Sequence, residues 1–161
     1  MCDSDEDSDT CPGDCEDKEL ETTFEYNLGS GGSMFTVEAK RNIVVSSFAI
    51  NSSSRGEGAV KVYTRTGSYN GHEKSSEGWE LIYDNAVMHA PRGQPTELGE
   101  FQKKVMIPEG VSQSFFVSSS QNLVYKSGTQ EGKAFASDES LSILEGIGTD
   151  VTFTGKVYLP L

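Results

Sequence analysis

The sequence predicts an all-β fold, an antiparallel two-sheet β-sandwich of jelly-roll-like character. Three features point to it. Apolar residues recur with period two in short runs, with Val60, Val62 and Thr64 on one face and Lys61, Tyr63 and Arg65 on the other. Turn-forming clusters rich in Gly, Pro, Asn and Ser separate nearly all of these runs, at 29–33, 52–58, 66–71, 91–95, 108–110, 128–132 and 146–150. No helical apolar face is sustained over twelve residues, so helix should be scarce.

The expected strands follow in order. Residues 34–39 alternate through Phe35 and Val37, and 42–50 carry Ile43, Val45, Phe48 and Ile50. Residues 59–65 hold the pattern quoted above, 79–83 place Trp79 and Leu81 on one side, and 86–89 form a separate short strand. Val105 and Ile107 define 102–107, Phe116 lies in 114–118, and Leu123 and Tyr125 lie in 123–126. Leu141 and Ile143 mark 141–145, Val151 and Phe153 mark 151–154, and a last run covers 156–159. These apolar side chains form the expected core. At about 1.5–3 kcal/mol for each large side chain fully buried, they suffice for one independent domain without disulfides.

Charge divides the chain. The 161 residues carry a net charge of −12. Residues 1–25 hold eleven acids against the single base Lys18, which is ten of those twelve charges. Residues 1–21 also lack the apolar side chains that would offset the entropy of ordering them, so they read as a disordered acidic linker ahead of a β-sandwich module at 22–161. Cys2, Cys11 and Cys15 all fall in the linker. The alternating Asp3, Asp5, Asp7 and Asp9 lack the glycine and closing glutamate of a calcium loop. Cys11 and Cys15 have three residues between them and no histidine nearby, which suits a disulfide better than zinc. Binding nucleic acid through phosphates needs clustered Lys and Arg, and this charge balance excludes it as a main activity. No apolar run approaches the length of a membrane span, and nothing after Met1 reads as a signal peptide.

Several blocks, in order, carry a resemblance. Met34-Phe35-Thr36-Val37-Glu38-Ala39-Lys40 opens it. Lys61-Val62-Tyr63-Thr64-Arg65-Thr66-Gly67-Ser68-Tyr69-Asn70-Gly71-His72-Glu73 and Gly78-Trp79-Glu80-Leu81-Ile82 follow. Next come Ile107-Pro108-Glu109-Gly110, Phe115-Phe116-Val117, Gly132-Lys133-Ala134-Phe135-Ala136-Ser137-Asp138 and Leu141-Ser142-Ile143-Leu144-Glu145-Gly146-Ile147-Gly148. Together they resemble a β-sandwich repeat module of secreted or cell-surface multi-domain proteins of diatoms, other stramenopiles and some bacteria. The resemblance covers about residues 22–158. It implies a non-catalytic accessory or repeat unit of proteins that sit outside the cell or on its surface, with no settled ligand; a glycan, a protein or neighbouring copies of the same module are the partners expected. That family follows the equivalent of Val157-Tyr158 with a Pro-Arg-aromatic-Asn-Gly turn and a closing strand, whereas Leu159-Pro160-Leu161 stands here, so an altered last strand and an exposed sheet edge are expected.

Candidate site residues are few. Tyr69, in the glycine-bounded loop Gly67-Ser68-Tyr69-Asn70-Gly71, is a candidate surface contact, and with His72 and Trp79 it could form a sugar-stacking platform. The competing readings fold Tyr69 back over the sandwich end and place Trp79 in the core. Asp138 and Glu145 are structural carboxylates, Asp138 capping a turn and Glu145 accepting from the Gly146–Gly148 backbone, or else ligands of a Ca²⁺ that pins their loops. Spaced by a strand, they do not suggest the facing carboxyls of a glycosidase. His72 and His89 are the only histidines, too few for a transition-metal centre. The Gly29-Ser30-Gly31-Gly32 run lacks the Lys-Ser/Thr of a phosphate loop and reads as a flexible turn. Asn51-Ser52-Ser53 is the sole N-glycosylation sequon. The sequence therefore favours an extracellular or surface interaction module that binds through its end loops. A purely structural spacer repeat and a divergent hydrolase are the alternatives.

Overall fold

The computed structural model describes residue 20, residues 28–125, 130–149, 153 and 157–158. The acidic linker lies outside the described residues except for Leu20, and with it lie all three cysteines. Ten strands are described: β1 (Leu28–Ala39), β2 (Ile43–Asn51), β3 (Gly56–Thr66), β4 (Glu80–His89), β5 (Pro95–Ile107), β6 (Ser112–Tyr125), β7 (Ala134–Ser137), β8 (Leu141–Leu144), β9 (Ile147–Thr149) and β10 (Val157–Tyr158). There is no helix among the described residues. The fold is the antiparallel two-layer β-sandwich that the alternating pattern predicts.

The layers are unequal. One sheet has eight strands, with the path β10-β9-β1-β6-β3-β4 and the β7–β8 hairpin joined to it through β8; the other is only β2 with β5. β1 shares its far edge between two partners, since Gly32–Met34 pairs with β9 and Val37–Ala39 with β8. Between β8 and β9 the chain passes tightly over β1 at Gly146, where an added Cβ would come 1.9 Å from the carbonyl oxygen of Met34. Glycine is required there by contact with the backbone, not by a left-handed dihedral.

Several expected strands merge or lengthen. The runs at 79–83 and 86–89 form one strand, β4, because Asp84 and Asn85 pair with Lys61 and Val60 instead of turning. The runs at 114–118 and 123–126 join into β6, where Asn122 absorbs the kink with a φ of 56°. The expected turn at 29–33 is part of β1, whose glycines are ordered by pairing with β6 across a register shift between Ser30 and Gly32. The breaker at 146–150 likewise contains β9.

The core between the layers combines Val37, Val60, Val62, Phe115 and Val117 of the large sheet with Ile43, Ile50, Leu98, Phe101, Val105 and Ile107 of the small one. Partly buried Phe48 packs against it, 5.0 Å from the rings of both Phe101 and Phe115 in edge-on geometry. Leu81, expected inside, is 44% exposed. A register shift between Val62 and Tyr63 lets Ile82 and Tyr83 both turn inward and puts Leu81 on the rung of outward-facing Tyr63.

The outer face of the large sheet is also partly covered. Ile147, Met34, Phe116 and Tyr63 pair in one rung across β9, β1, β6 and β3. Tyr69, Trp79 and Phe153 pack over that rung as a second apolar cluster. Phe116 therefore belongs to this outer cluster, and its neighbour Phe115 takes the inner position.

Candidate functional site

The loop of residues 67–79 between β3 and β4 brings the three expected binding residues together, but turns their rings inward. Gly67, Gly71 and Gly78 all have positive φ, which lets the chain reverse without a Cβ clash. Between the first two, Tyr69 swings back onto Met34, Phe116 and Ile147 and is only 4% exposed. Its hydroxyl donates to Glu131 Oε1 at 2.7 Å, tying the loop to the turn before β7. Burial, then the hydrogen bond and the charge of Glu131, and finally the charge of Glu73, raise the pKa of this phenol far above the usual tyrosine range and keep it protonated. Tyr69 is thus not a surface platform; the reading in which it folds back over the sandwich is the one seen.

Trp79 is half-buried, in edge-on contact with Phe116 at 6.2 Å and tilted against Phe153 at 5.8 Å. Its Nε1–H donates to the carbonyl of His72 at 2.9 Å, and the His72 amide donates to the carbonyl of Tyr69 at 2.8 Å. The loop tip is fixed by further short-range bonds: Asn70 N–H to Ser68 Oγ, Gly71 N–H to Glu73 Oε1, Glu77 N–H to Ser75 Oγ and Trp79 N–H to the Ser76 carbonyl. What it presents outward is polar: Asn70, Lys74, Ser75, Ser76 and Glu77 are exposed, with His72 and Glu73 half-buried beside them.

Asp138 and Glu145 do not converge. Asp138 Oδ1 accepts from the amides of Ser140 and Leu141 at 2.7 and 3.0 Å, capping the β7–β8 turn as its sequence context predicts. Glu145 lies beyond the other end of that hairpin, about a four-residue strand, or roughly 13 Å, away. Its carboxylate accepts from Gln130 N–H at 2.6 Å, so it holds the turn before β7. Shared ligation of one Ca²⁺ by the pair is ruled out by this separation. No group of three His, Cys, Asp or Glu side chains converges among the described residues.

His89 is buried at the end of β4. Two carbonyls, of Gly56 at 3.2 Å and Val87 at 3.0 Å, face its Nδ1, which must hold a proton to meet them; Nε2 stands 2.9 Å from Ser119 Oγ. Asn51, the sequon asparagine, is 9% exposed at the end of β2, and its Oδ1 accepts from Gly93 N–H at 2.9 Å. Its burial, with Oδ1 holding the β4–β5 turn, leaves this side chain poorly exposed for a glycan.

Two clefts open at the rims of the sandwich. One of about 120 Å³ is mostly apolar, between Phe35, Ile50, Val117 and Leu123. The other, of about 310 Å³, lies among Thr64, Ile82, Lys103, Lys104, Val105 and Gln113, with Glu80 engaged by Lys103. Neither histidine lines either cleft.

Fold and loop together define a class, an antiparallel β-sandwich domain with one structured polar loop laid over the outer face of its larger sheet. No protein-family model matches the chain, and no match is found among curated proteins.

Sequence reasoning missed two contributors. Glu131 was hidden because its contact with Tyr69 spans 62 residues of chain. Arg65 was placed on the outward face of β3 by alternation alone, but nothing in the pattern marked its Nε as buried without an acceptor among the described residues.

Proposed function

We propose that this chain is a non-catalytic β-sandwich interaction module of the extracellular space or cell surface, meeting a protein partner through the tip of the β3–β4 loop. The observation that carries this reading is the construction of the loop. Its aromatic rings are spent as anchors on Met34, Phe116 and Phe153, its backbone is bonded to itself, and its outward groups are polar. A loop already held in one conformation loses little entropy on binding, and rigid scaffolds characteristically carry recognition on such loops.

A protein is favoured over a neutral glycan because sugar rings bind by stacking on exposed aromatic faces, and those of Tyr69 and Trp79 lie against the outer cluster. The non-catalytic reading rests on the likeness of its sequence blocks to a non-catalytic module. The extracellular reading rests on the likeness of its sequence blocks to a module of secreted proteins.

The test compares the full chain with a variant whose residues 70–77 are replaced by a Gly-Ser segment, each presented to a glycan array and to a library of displayed peptides. Peptide binding by the wild type that disappears in the variant, at unchanged melting temperature, is expected. Binding confined to neutral glycans, or peptide binding that survives the replacement, would refute the proposal.

A further inference from the structure

We infer that the larger cleft, of about 310 Å³, is a binding site for a small hydroxylated carboxylate. It opens at the end of the sandwich from which the β3–β4 loop departs, since Thr66 and Glu80, which line it, are the last residue of β3 and the first of β4. The site does not depend on the loop tip being a contact surface. Its floor is buried and its rim is exposed: Thr64, Ile82, Val105 and Gln113 belong to the floor, Glu80, Lys103 and Lys104 to the rim.

Gln113, only 7% exposed, points to a ligand. Thr64 Oγ1 donates its one proton to the Ser114 carbonyl at 2.9 Å, so Nε2 must be the donor in the 2.8 Å contact between the Gln113 amide and that hydroxyl. This fixes the orientation of the amide. Oε1 is left as an acceptor with no hydrogen bond among the described residues, and unlike Arg65 Nε it is not closed to solvent. A polar atom of a buried side chain, lining a cleft and lacking a partner, is satisfied by a donor that enters the cleft.

The rim sets the charge of that ligand. Lys103 engages Glu80, and Lys104 stands 3.9 Å from Glu100, too far for a hydrogen bond. The cleft is therefore lined by two cations and one anion, an excess of one positive charge in a chain whose net charge is −12. One carboxylate balances that excess, whereas a phosphate monoester, close to doubly charged, overshoots it. A carboxylate has no proton to give Gln113 Oε1, so the same molecule must carry a donor. A hydroxyl supplies one without setting a further cation beside the lysines. Ile82 and Val105 offer apolar wall to the carbon skeleton between the two groups.

The test titrates the full ¹⁵N-labelled chain with D-gluconate, following by NMR the side-chain amide of Gln113 and the backbone amides of Lys103 and Lys104. Sorbitol, with hydroxyls and no charge, hexanoate, with a carboxylate and no hydroxyl, and glycerol 3-phosphate are titrated in parallel. Gluconate is expected to shift these resonances saturably and to bind about tenfold more tightly than each of the other three. Gln113→Met removes the acceptor at similar volume and should weaken gluconate about fivefold, the loss of one hydrogen bond. Lys104→Gln, at an exposed side chain, should weaken it about tenfold and keeps the test readable if Gln113→Met lowers the melting temperature. Resonances that do not move with gluconate overturn the assignment, as does gluconate binding that neither variant weakens. Sorbitol binding equally well would remove the lysines from the site, hexanoate binding equally well would remove Gln113, and tighter binding of glycerol 3-phosphate would refute the match to a single charge.

Discussion

Tyr69 is the side chain whose placement most changes the reading of this protein. Flanked by Gly67 and Gly71, it reads as an exposed aromatic, yet it is buried with its hydroxyl on Glu131. Because its folded pKa is raised, the native state keeps the proton after the unfolded chain, with a tyrosine pKa near 10, begins to lose it. The sign follows: the contribution is fully present below about pH 10 and is lost as pH rises beyond that. Urea midpoints of the wild type should therefore fall between about pH 10 and 11 more steeply than those of Tyr69→Phe, which has no proton to lose. Near pH 7 the same substitution, removing one hydrogen bond to a surface carboxylate, should cost about 1 kcal/mol or less. Equal slopes for the two proteins would mean that the phenol is not buried as described. Neither the burial of Tyr69 nor its partner was legible locally, since the surfaces that receive it belong to β1, β6 and β9 and to a residue 62 positions away. By contrast, the role of Asp138 was legible, because an Asx turn is closed by amides two and three residues on.

Among the elements, the crossing from β8 to β9 is the most exacting. Gly146 passes so close to the Met34 carbonyl that a methyl group has no room, and the obstacle is backbone, which cannot rotate aside. Gly146→Ala should destabilise the domain by about 3 kcal/mol, at the upper end of overpacking costs. Gly110→Ala is the control, with a φ of +80° and open space around the added Cβ, and should cost only about 1–2 kcal/mol of backbone strain. Denaturant titrations giving equal losses for the two would contradict the close crossing. Most strands are legible as alternation, but their ends are not. The glycines at 29–33 and 146–150 look like breakers, and they become β1 and β9 because neighbouring strands supply hydrogen bonds that the local sequence does not reveal. Leu81 fails for a related reason: the irregularity opposite Val62 and Tyr63 shifts the face of every residue beyond it.

Across the molecule, the unequal partition of strands should set the order in which it opens. β6 is paired along both sides, to β1 and β3, whereas β2 and β5 pair only with each other and are held to the large sheet by side chains such as Phe48 and Phe101. In native-state hydrogen exchange the β6 amides should be the slowest, and those of β2 and β5 should exchange through a lower-energy opening of the small sheet. Uniform protection across both sheets would refute that order. The sequence by itself determined the β class, the two-layer principle and most inner-core positions, because period-two alternation and turn chemistry act over a few residues. Only the tertiary structure decided how strands divide between eight and two, which face of the large sheet receives Tyr69 and Trp79, and that Arg65 Nε is closed off without an acceptor among the described residues. Those outcomes depend on contacts between segments far apart in the chain, and local patterning carries no record of which surfaces will meet.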